Sequence, residues 1–336
     1  MTSIIRQLIT SAVLLILTAT TGHAQISIIG GTTGVPDTTA GYQKWMMYRD
    51  QLAELSKGDI SITPMVGGEL GSEESIFNGV RRGRIQIANL SGLVIGTVVP
   101  EAALLAAPFL FDSEAQADHI YDTVLFDIYS DLLAEHGITF LSWDDVGFRQ
   151  VYGKTPILVP EDLQGTRYRI PSGLATRLFA EAVGSDVIPL SFNENTIGLQ
   201  TGLVDAGGNA VILYAGTGIA EEAPHLTLTS HIQMTNFVIC STRWLESLSP
   251  TQQDVIRAGW ISMDLARSMS RDEEKDFLAR ADDFGFTIHE LTDAQRQAWR
   301  EAAAPVTPQI IESIGGRSVE IYQAIQDAKA AYKDQP

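Results

Sequence analysis

Between residues 26 and 209 the chain alternates short apolar runs with amphipathic stretches, and no other feature restricts the fold as much. Residues 26–29 form an apolar run of the buried-strand type, followed by a flexible turn at Gly30, Gly31 and Gly34. Asp37 or Thr38 is placed to cap a helix reaching about Ser56. Residues 60–66 alternate and contain Pro64, which predicts a second strand ending at Gly67 and Gly68. Ser72 with Glu73 and Glu74 opens a short helix, cap first and acids in the first turn where they complement its dipole. Gly83 ends that helix, and residues 85–88 supply the next strand. This spacing predicts βαβ units on a mostly parallel sheet. Ligands of such sheets lie beyond the carboxyl ends of the strands, so the turns at 30–34, 68–72 and 89–92 are the predicted rim of a site.

A second series has the same character. After a helical stretch over 113–136 and a strand over 139–143, residues 144–152 change in composition, include Arg149, and read as a crossing between domains. Strands at 166–170, 187–190 and 204–209 then alternate with helices at 174–183 and 193–201. A chain of 336 residues with two such series predicts two domains. Ser249, Pro250 and Gln252 form a capping box with proline at the first helical position. They open an amphipathic helix through Val255, Ala258, Ile261, Leu265 and Met269 to about Phe277, long enough to brace two domains. Thr292 and Gln295 repeat the capping box, and residues 318–333 read as a last, exposed helix.

The amino terminus bears on the compartment. Arg6, an apolar run over 8–19 and the small residues before Ala24 predict a cleavable secretory signal peptide over 1–24. Its apolar run is short for a membrane span, with an uncleaved anchor as the lesser alternative. The mature chain is thus expected in the periplasm, without membrane insertion after cleavage. The formal charge of −18 becomes one unit more negative without Arg6, which repels nucleic acid and anionic membrane surfaces, and no nucleic-acid partner is expected. Cys240 is the one cysteine, so no intramolecular disulfide can form, and within the apolar run 237–240 it reads as a buried small hydrophobe.

Candidate chemistry centres on residues 161–209. Pro171 keeps Ile170 extended, and strand alternation puts Arg167 and Arg169 on one face with Tyr168 and Ile170 on the other. Guanidinium groups near the end of an apolar strand are costly unless an anion meets them, and their planar fork matches a carboxylate. Arg149 is a third such group, and Asn209 offers both a donor and an acceptor. The alternative for each arginine is an ion pair with one of the chain's 41 acids. Signatures of catalysis and nucleotide binding are missing: there is no GxSxG, GxxxxGK[ST] or HExxH. His225 and His231, the nearest pair for a metal, have no accompanying cysteine and read as structural. The adjacent acids Asp144 and Asp145, and Glu221 and Glu222, point apart and read as solvated. The reading is recognition of a small anion, with no enzymatic activity, cofactor or metal.

Four blocks in order carry a resemblance over essentially the whole mature chain: GELGSEESIFNGVRRGRIQIA (68–88), PEAALLAAPFLF (100–111), PEDLQGTRYRIP (160–171) and ENTIGLQTGLVDAGGN (194–209). They resemble the substrate-binding proteins of tripartite ATP-independent periplasmic (TRAP) transporters, of the dicarboxylate-binding family. The resemblance implies an α/β, two-domain periplasmic binding protein fold with hinge-crossing strands and a long bridging helix. Residues 25–146 with 235–274 would form domain I, and 147–234 with 275–336 domain II. By motif position Arg169 would clamp a ligand carboxylate, helped by Arg149 and Asn209, with the Phe192 ring against the ligand and Glu73 and Ser91 on the first-domain rim. Arg167 falls where the family commonly has lysine and reads as structural. Thr196, Gly207 and Gly208 depart from the family pattern and are expected to enlarge the pocket wall near Asn209. The implied function is an extracytoplasmic receptor that takes a small organic acid to the small and large permease subunits of a TRAP transporter. The alternatives are a periplasmic sensory receptor and, further off, a periplasmic enzyme on a similar scaffold.

Overall fold

The structure, a computed structural model, describes residues 25–33 and 35–332. The expected signal peptide over 1–24, Gly34 in the first rim turn and Lys333 at the end of the last helix lie outside the described residues. The first series forms β1 (Ile26–Gly31), α1 (Ala40–Leu55), β2 (Ile60–Met65), α2 (Glu73–Arg81) and β3 (Ile87–Ser91). Thr39, rather than Asp37 or Thr38, caps α1 by accepting from Tyr42 N–H at 3.3 Å. Ser72 caps α2 as expected. The second series forms β5 (Arg167–Ile170), α3 (Leu174–Ala182), β6 (Asp186–Pro189) and β7 (Ala206–Ala210), preceded by β4 (Ile138–Gly153) and followed by β8 (His225–Ser241). The helical stretch after residue 113 is Glu114–Ile120, a wider turn over Tyr121–Leu125, and Phe126–Glu135.

The strands join in the order β2-β1-β3-β8-β4-β7-β5-β6, with the short β9 (Thr287–His289) also on β8. Each wing is parallel: β1 pairs with β2 and β3, and β5 with β6 and β7. The centre is antiparallel, because β4 and β8 run in opposite directions and pair with each other and with both wings. At 16 and 17 residues they are roughly 50 Å long, enough to cross from one lobe to the other. The predicted crossing at 144–152 is thus the second half of one continuous strand. β8 alternates over Leu226–Thr229 and Ile232–Thr235, with the polar step Ser230–His231 between the two runs. The expected domain boundaries at 146/147 and 234/235 fall inside these two strands.

Both strands bend where the lobes meet, with register shifts between Asp145 and Gly147 and between Arg149 and Val151. Gly147 has φ +96°, and a Cβ there would come within 2.7 Å of Glu274 Oε2, so this bend requires glycine.

The lobes are three-layered. On one face of the first wing Ile87, Val238 and Cys240 pack against Trp45 and Leu52 of α1. On the other Leu90, Phe237 and Ile239 pack with Ile76, Leu133 and Trp143. In the second lobe Tyr168, Ile170, Phe179 and Trp299 share one core, while Tyr152, Leu199, Tyr214 and Phe286 share another. Cys240 is fully buried, and burial pushes its thiol up to about 12.

The expected long helix is two helices. Pro250–Gly259 ends at Gly259, Trp260 turns extended at ψ 142°, and Ser262 caps α4 (Met263–Ala279) by accepting from Leu265 N–H at 3.3 Å. A Cβ at 259 would come within 2.6 Å of Leu52, so the close approach to α1 accompanies the break. α4 is the bridging element: Arg267 and Arg271 meet acids of the first lobe, and Phe277 sits in a second-lobe core. The carboxyl-terminal stretch, expected whole in domain II, divides its packing. Trp299 and Ala303 join the second lobe, whereas Val306, Ile310, Ile321 and Ile325 pack in the first.

Candidate functional site

A cleft of about 140 Å³ lies between the lobes, room for roughly ten water-sized positions. All six candidates, Arg169, Arg149, Asn209, Phe192, Glu73 and Ser91, line it. Three come from adjacent strands of the second lobe: Arg149 from β4, Asn209 from β7 and Arg169 from β5. Their positions follow from register, with Ala210 opposite Arg149 and Gly207 opposite Arg169.

The two guanidinium groups are 6% and 2% exposed, and neither has a carboxylate within ion-pair distance among the described residues. Arg149 Nη1 donates to Gly208 O at 2.8 Å, and its Nε has no partner. Arg169 Nε donates to Leu190 O at 3.0 Å, and its Nη2 has no partner. Burial lowers both pKa values; Arg149 falls to about 10, with the Arg169 charge adding to its shift, while Tyr152 and Glu73 work against the fall at Arg169. Both remain cationic at neutral pH. Buried cations with unused donors and no counterion are electrostatically incomplete, a state that an anion in the cleft would relieve.

Asn209 Oδ1 accepts from Ala210 N–H at 3.0 Å, which leaves the amide NH₂ as its remaining polar end. Phe192 opens the turn after β6, where Ser191 and Glu194 cap each other at 2.6 and 3.0 Å. Across the cleft, Glu73 at the start of α2 accepts from Ser91 N at 2.7 Å and Ser91 Oγ at 2.6 Å. Burial raises the Glu73 pKa, while Ser91 and the Arg169 charge pull it down.

Other sequence readings come out differently. Arg167 is half-exposed and forks onto Asp205 at 2.8 and 2.9 Å, away from the cleft. Gly207 and Gly208 do not widen the wall. A Cβ at 207 would overlap Tyr152 Oη and one at 208 would lie 2.7 Å from Tyr168 Oη, so larger side chains already occupy that space. Asp144 and Asp145 are 5% exposed, not solvated, because the crossing strand carries them inside. They do point apart. Asp144 meets Lys44 Nζ at 2.6 Å and Asn89 Nδ2 at 2.6 Å, while Asp145 accepts from Gln233 at 2.6 Å and faces Arg271 at 3.3 Å. His225 and His231 do not meet: His225 contacts His289 at 3.0 Å, and His231 stacks on Phe179 beside Thr229. The cleft residues missed in the sequence are Lys44, Trp45, Asn89, Asp144 and Asn236. Only Asn89 had a signal, its place in the third predicted rim turn.

The profile of the bacterial extracellular solute-binding proteins, family 7, matches residues 31–313. The chain belongs to that family. Among the relatives of this family 7 protein is the ectoine-binding periplasmic protein TeaA of Halomonas elongata, 28% identical over 80% of each chain. Among solved structures, the sugar acid binding protein DctPAm of Advenella mimigardefordensis, in complex with galactonate, is 26% identical with a TM-score of 0.86, covering 90% of this chain and 99% of that one. A TRAP periplasmic solute binding protein from Roseobacter denitrificans with bound β-D-glucuronate is 25% identical with a TM-score of 0.84, covering 89% and 99%. The α/β fold with two lobes is therefore that of the TRAP periplasmic binding proteins. Members of the family are periplasmic solute-binding proteins. No helix among the described residues is long and apolar enough to cross a membrane.

Proposed function

We propose that this chain is an exported receptor that holds a small organic acid in the cleft and presents it to the small and large membrane subunits of a TRAP transporter. The observation that carries the reading is the pair of buried arginines, Arg149 and Arg169, with unused donors and no acid partner. A carboxylate supplies the missing charge and accepts two parallel hydrogen bonds from a guanidinium. Asn209 adds a donor, and Phe192 closes one side against the ligand's apolar face. The named ligands of the two solved relatives above, galactonate and glucuronate, are themselves carboxylates.

Because the cleft walls belong to different lobes, a bound acid favours the closed arrangement by contacts that exist only when both lobes meet it. Bends in β4 and β8, with α4 alongside, form the hinge in this reading. The signal peptide over 1–24 places the receptor in the periplasm, and the cleft binds without making or breaking covalent bonds. A thermal-shift screen of mono- and dicarboxylates, sugar acids, keto acids and amino acids tests the proposal. An acid present at about a hundred times its Kd stabilises the folded state by about 2.7 kcal/mol and raises the unfolding midpoint. If neutral sugars shift the midpoint and no acid does, the proposal fails.

A further inference from the structure

We infer that the first-lobe wall of the cleft is built for hydroxyl donors, so that the preferred ligand is a polyhydroxylated monocarboxylic acid rather than a dicarboxylate. The inference rests on the proposed docking of one carboxylate at Arg149 and Arg169. It concerns the other end of the ligand.

The walls differ in what they offer. The second lobe presents unpaired donors. The first lobe lines the cleft with Glu73, Glu74, Asp144, Asp145 and Asn89, and its one cation is Lys44. That ammonium is spent: it donates to Asp144 Oδ1 at 2.6 Å, Ser270 Oγ at 2.7 Å and Asp145 O at 3.4 Å, and it has three protons to give. No positive charge is left there for a second carboxylate.

Asn89 shows what is wanted instead. Its Nδ2 donates to Asp144 Oδ2 at 2.6 Å, and because a carboxylate only accepts, this contact fixes which end of the amide faces away. The Oδ1 left over is buried, on a side chain that lines the cleft and is only 5% exposed, and it has no donor in the protein. Glu73 spends one lone pair of each oxygen on Ser91 and keeps acceptor capacity at the same wall. Trp45, also on the lining, has an indole N–H with no acceptor. A hydroxyl can give a proton to Asn89 or Glu73 and accept one from an indole. A second carboxylate can only accept, and it would sit against the Glu73 charge, a like-charge contact that counts against the wrong partner. The site is therefore polar in sense, cationic on the second lobe and acceptor-rich on the first, and it matches a molecule with an acid at one end and alcohols along the rest.

Titration calorimetry of the mature protein with D-gluconate, D-glucuronate, succinate and D-glucose reads this directly. One of the hydroxylated acids is expected to bind at least about tenfold more tightly than succinate. Glu73→Gln keeps an acceptor for Ser91 N–H, offers an NH₂ that Ser91 Oγ can accept from, and removes the charge, so the preference over succinate should narrow by about tenfold. Succinate binding as tightly as both hydroxylated acids, or an unchanged ratio in the variant, overturns the inference and leaves the carboxylate reading intact. D-glucose matching D-gluconate, or neither hydroxylated acid binding, overturns the carboxylate reading for these probes and the inference with it.

Discussion

Two pairs of arginines lie in the interior of this molecule under opposite electrostatic conditions. On α4, Arg267 forks onto Asp122 at 2.7 Å through both terminal nitrogens and reaches Asp118 at 3.0 Å. Arg271 meets Asp118 at 2.8 Å, with Asp145 and Glu114 at 3.3 Å. Four carboxylates serve two cations, and although burial lowers the pKa of both arginines, these acids raise it overall. In the cleft, Arg149 and Arg169 are more deeply placed, have no acid partner within ion-pair distance, and have pKa values shifted down. The first pair fastens the bridging helix to the first lobe. The second is held open at a cost in stability, and burying unpaired charge is tolerated where a ligand supplies the counterion.

Mutation should therefore affect the two pairs in opposite ways. Arg169→Ala is expected to have the largest effect on binding, a loss of about 2–5 kcal/mol by calorimetry, with an unfolding midpoint no lower than wild type because an uncompensated buried cation is gone. Unchanged affinity would remove Arg169 from the site. Arg271→Ala should behave in the reverse sense. It leaves Asp145 without its arginine and Asp118 with Arg267 alone, and should cost about 2–3 kcal/mol of stability by denaturant unfolding, below the range for fully buried pairs because Arg271 is 19% exposed. Its effect on affinity should stay below about tenfold. If it abolished binding at unchanged stability, the division into a fastening pair and a recognition pair would be wrong.

The smallest effect concerns pH at the hinge. Glu274, against the Gly147 bend, has its pKa pushed up to about 7 by burial, with Glu114 and Asp145 adding to the rise, and Asp145 is raised to about 6 by burial. A folded-state carboxyl pKa above its unfolded value means the folded state binds more protons in between. Stability from these groups is present below the ordinary carboxyl range and is lost as pH rises through about 6 to 7. Glu274→Gln, a mimic of the protonated form, should stabilise the protein at pH 8 and make little difference at pH 5, as thermal unfolding at the two values would show. An equal effect at both would assign Glu274 no part in the pH dependence.

Local pattern carried most of the elements. The Ser72 cap, the glycine stops and the restriction Pro171 places on Ile170 each act within a few residues, so the strands and helices of both wings could be placed to within about three residues. The single long helix through residue 260 failed because periodicity records an apolar face and not the close approach of Gly259 to α1. Arg149, Arg169 and Asn209 were legible as residue types suited to a carboxylate, and motif order put them in one cleft.

What no local pattern could decide is which charges are paired. Lys44 and Asp144 are 100 residues apart in the chain, and Arg271 and Asp118 are 153 apart. The first closes when α1 packs on the crossing strand, and the second when α4 meets the helix Glu114–Ile120. Adjacent acids that read as solvated became buried partners by that packing, and two arginines that could have paired with any of 41 acids were left without one. The sequence by itself determined the strand–helix order and the kind of chemistry available. The tertiary structure decided where charge is cancelled and where it is left waiting, because Coulomb energy depends on distance in space and on the water excluded by folding, neither of which has a period along the chain.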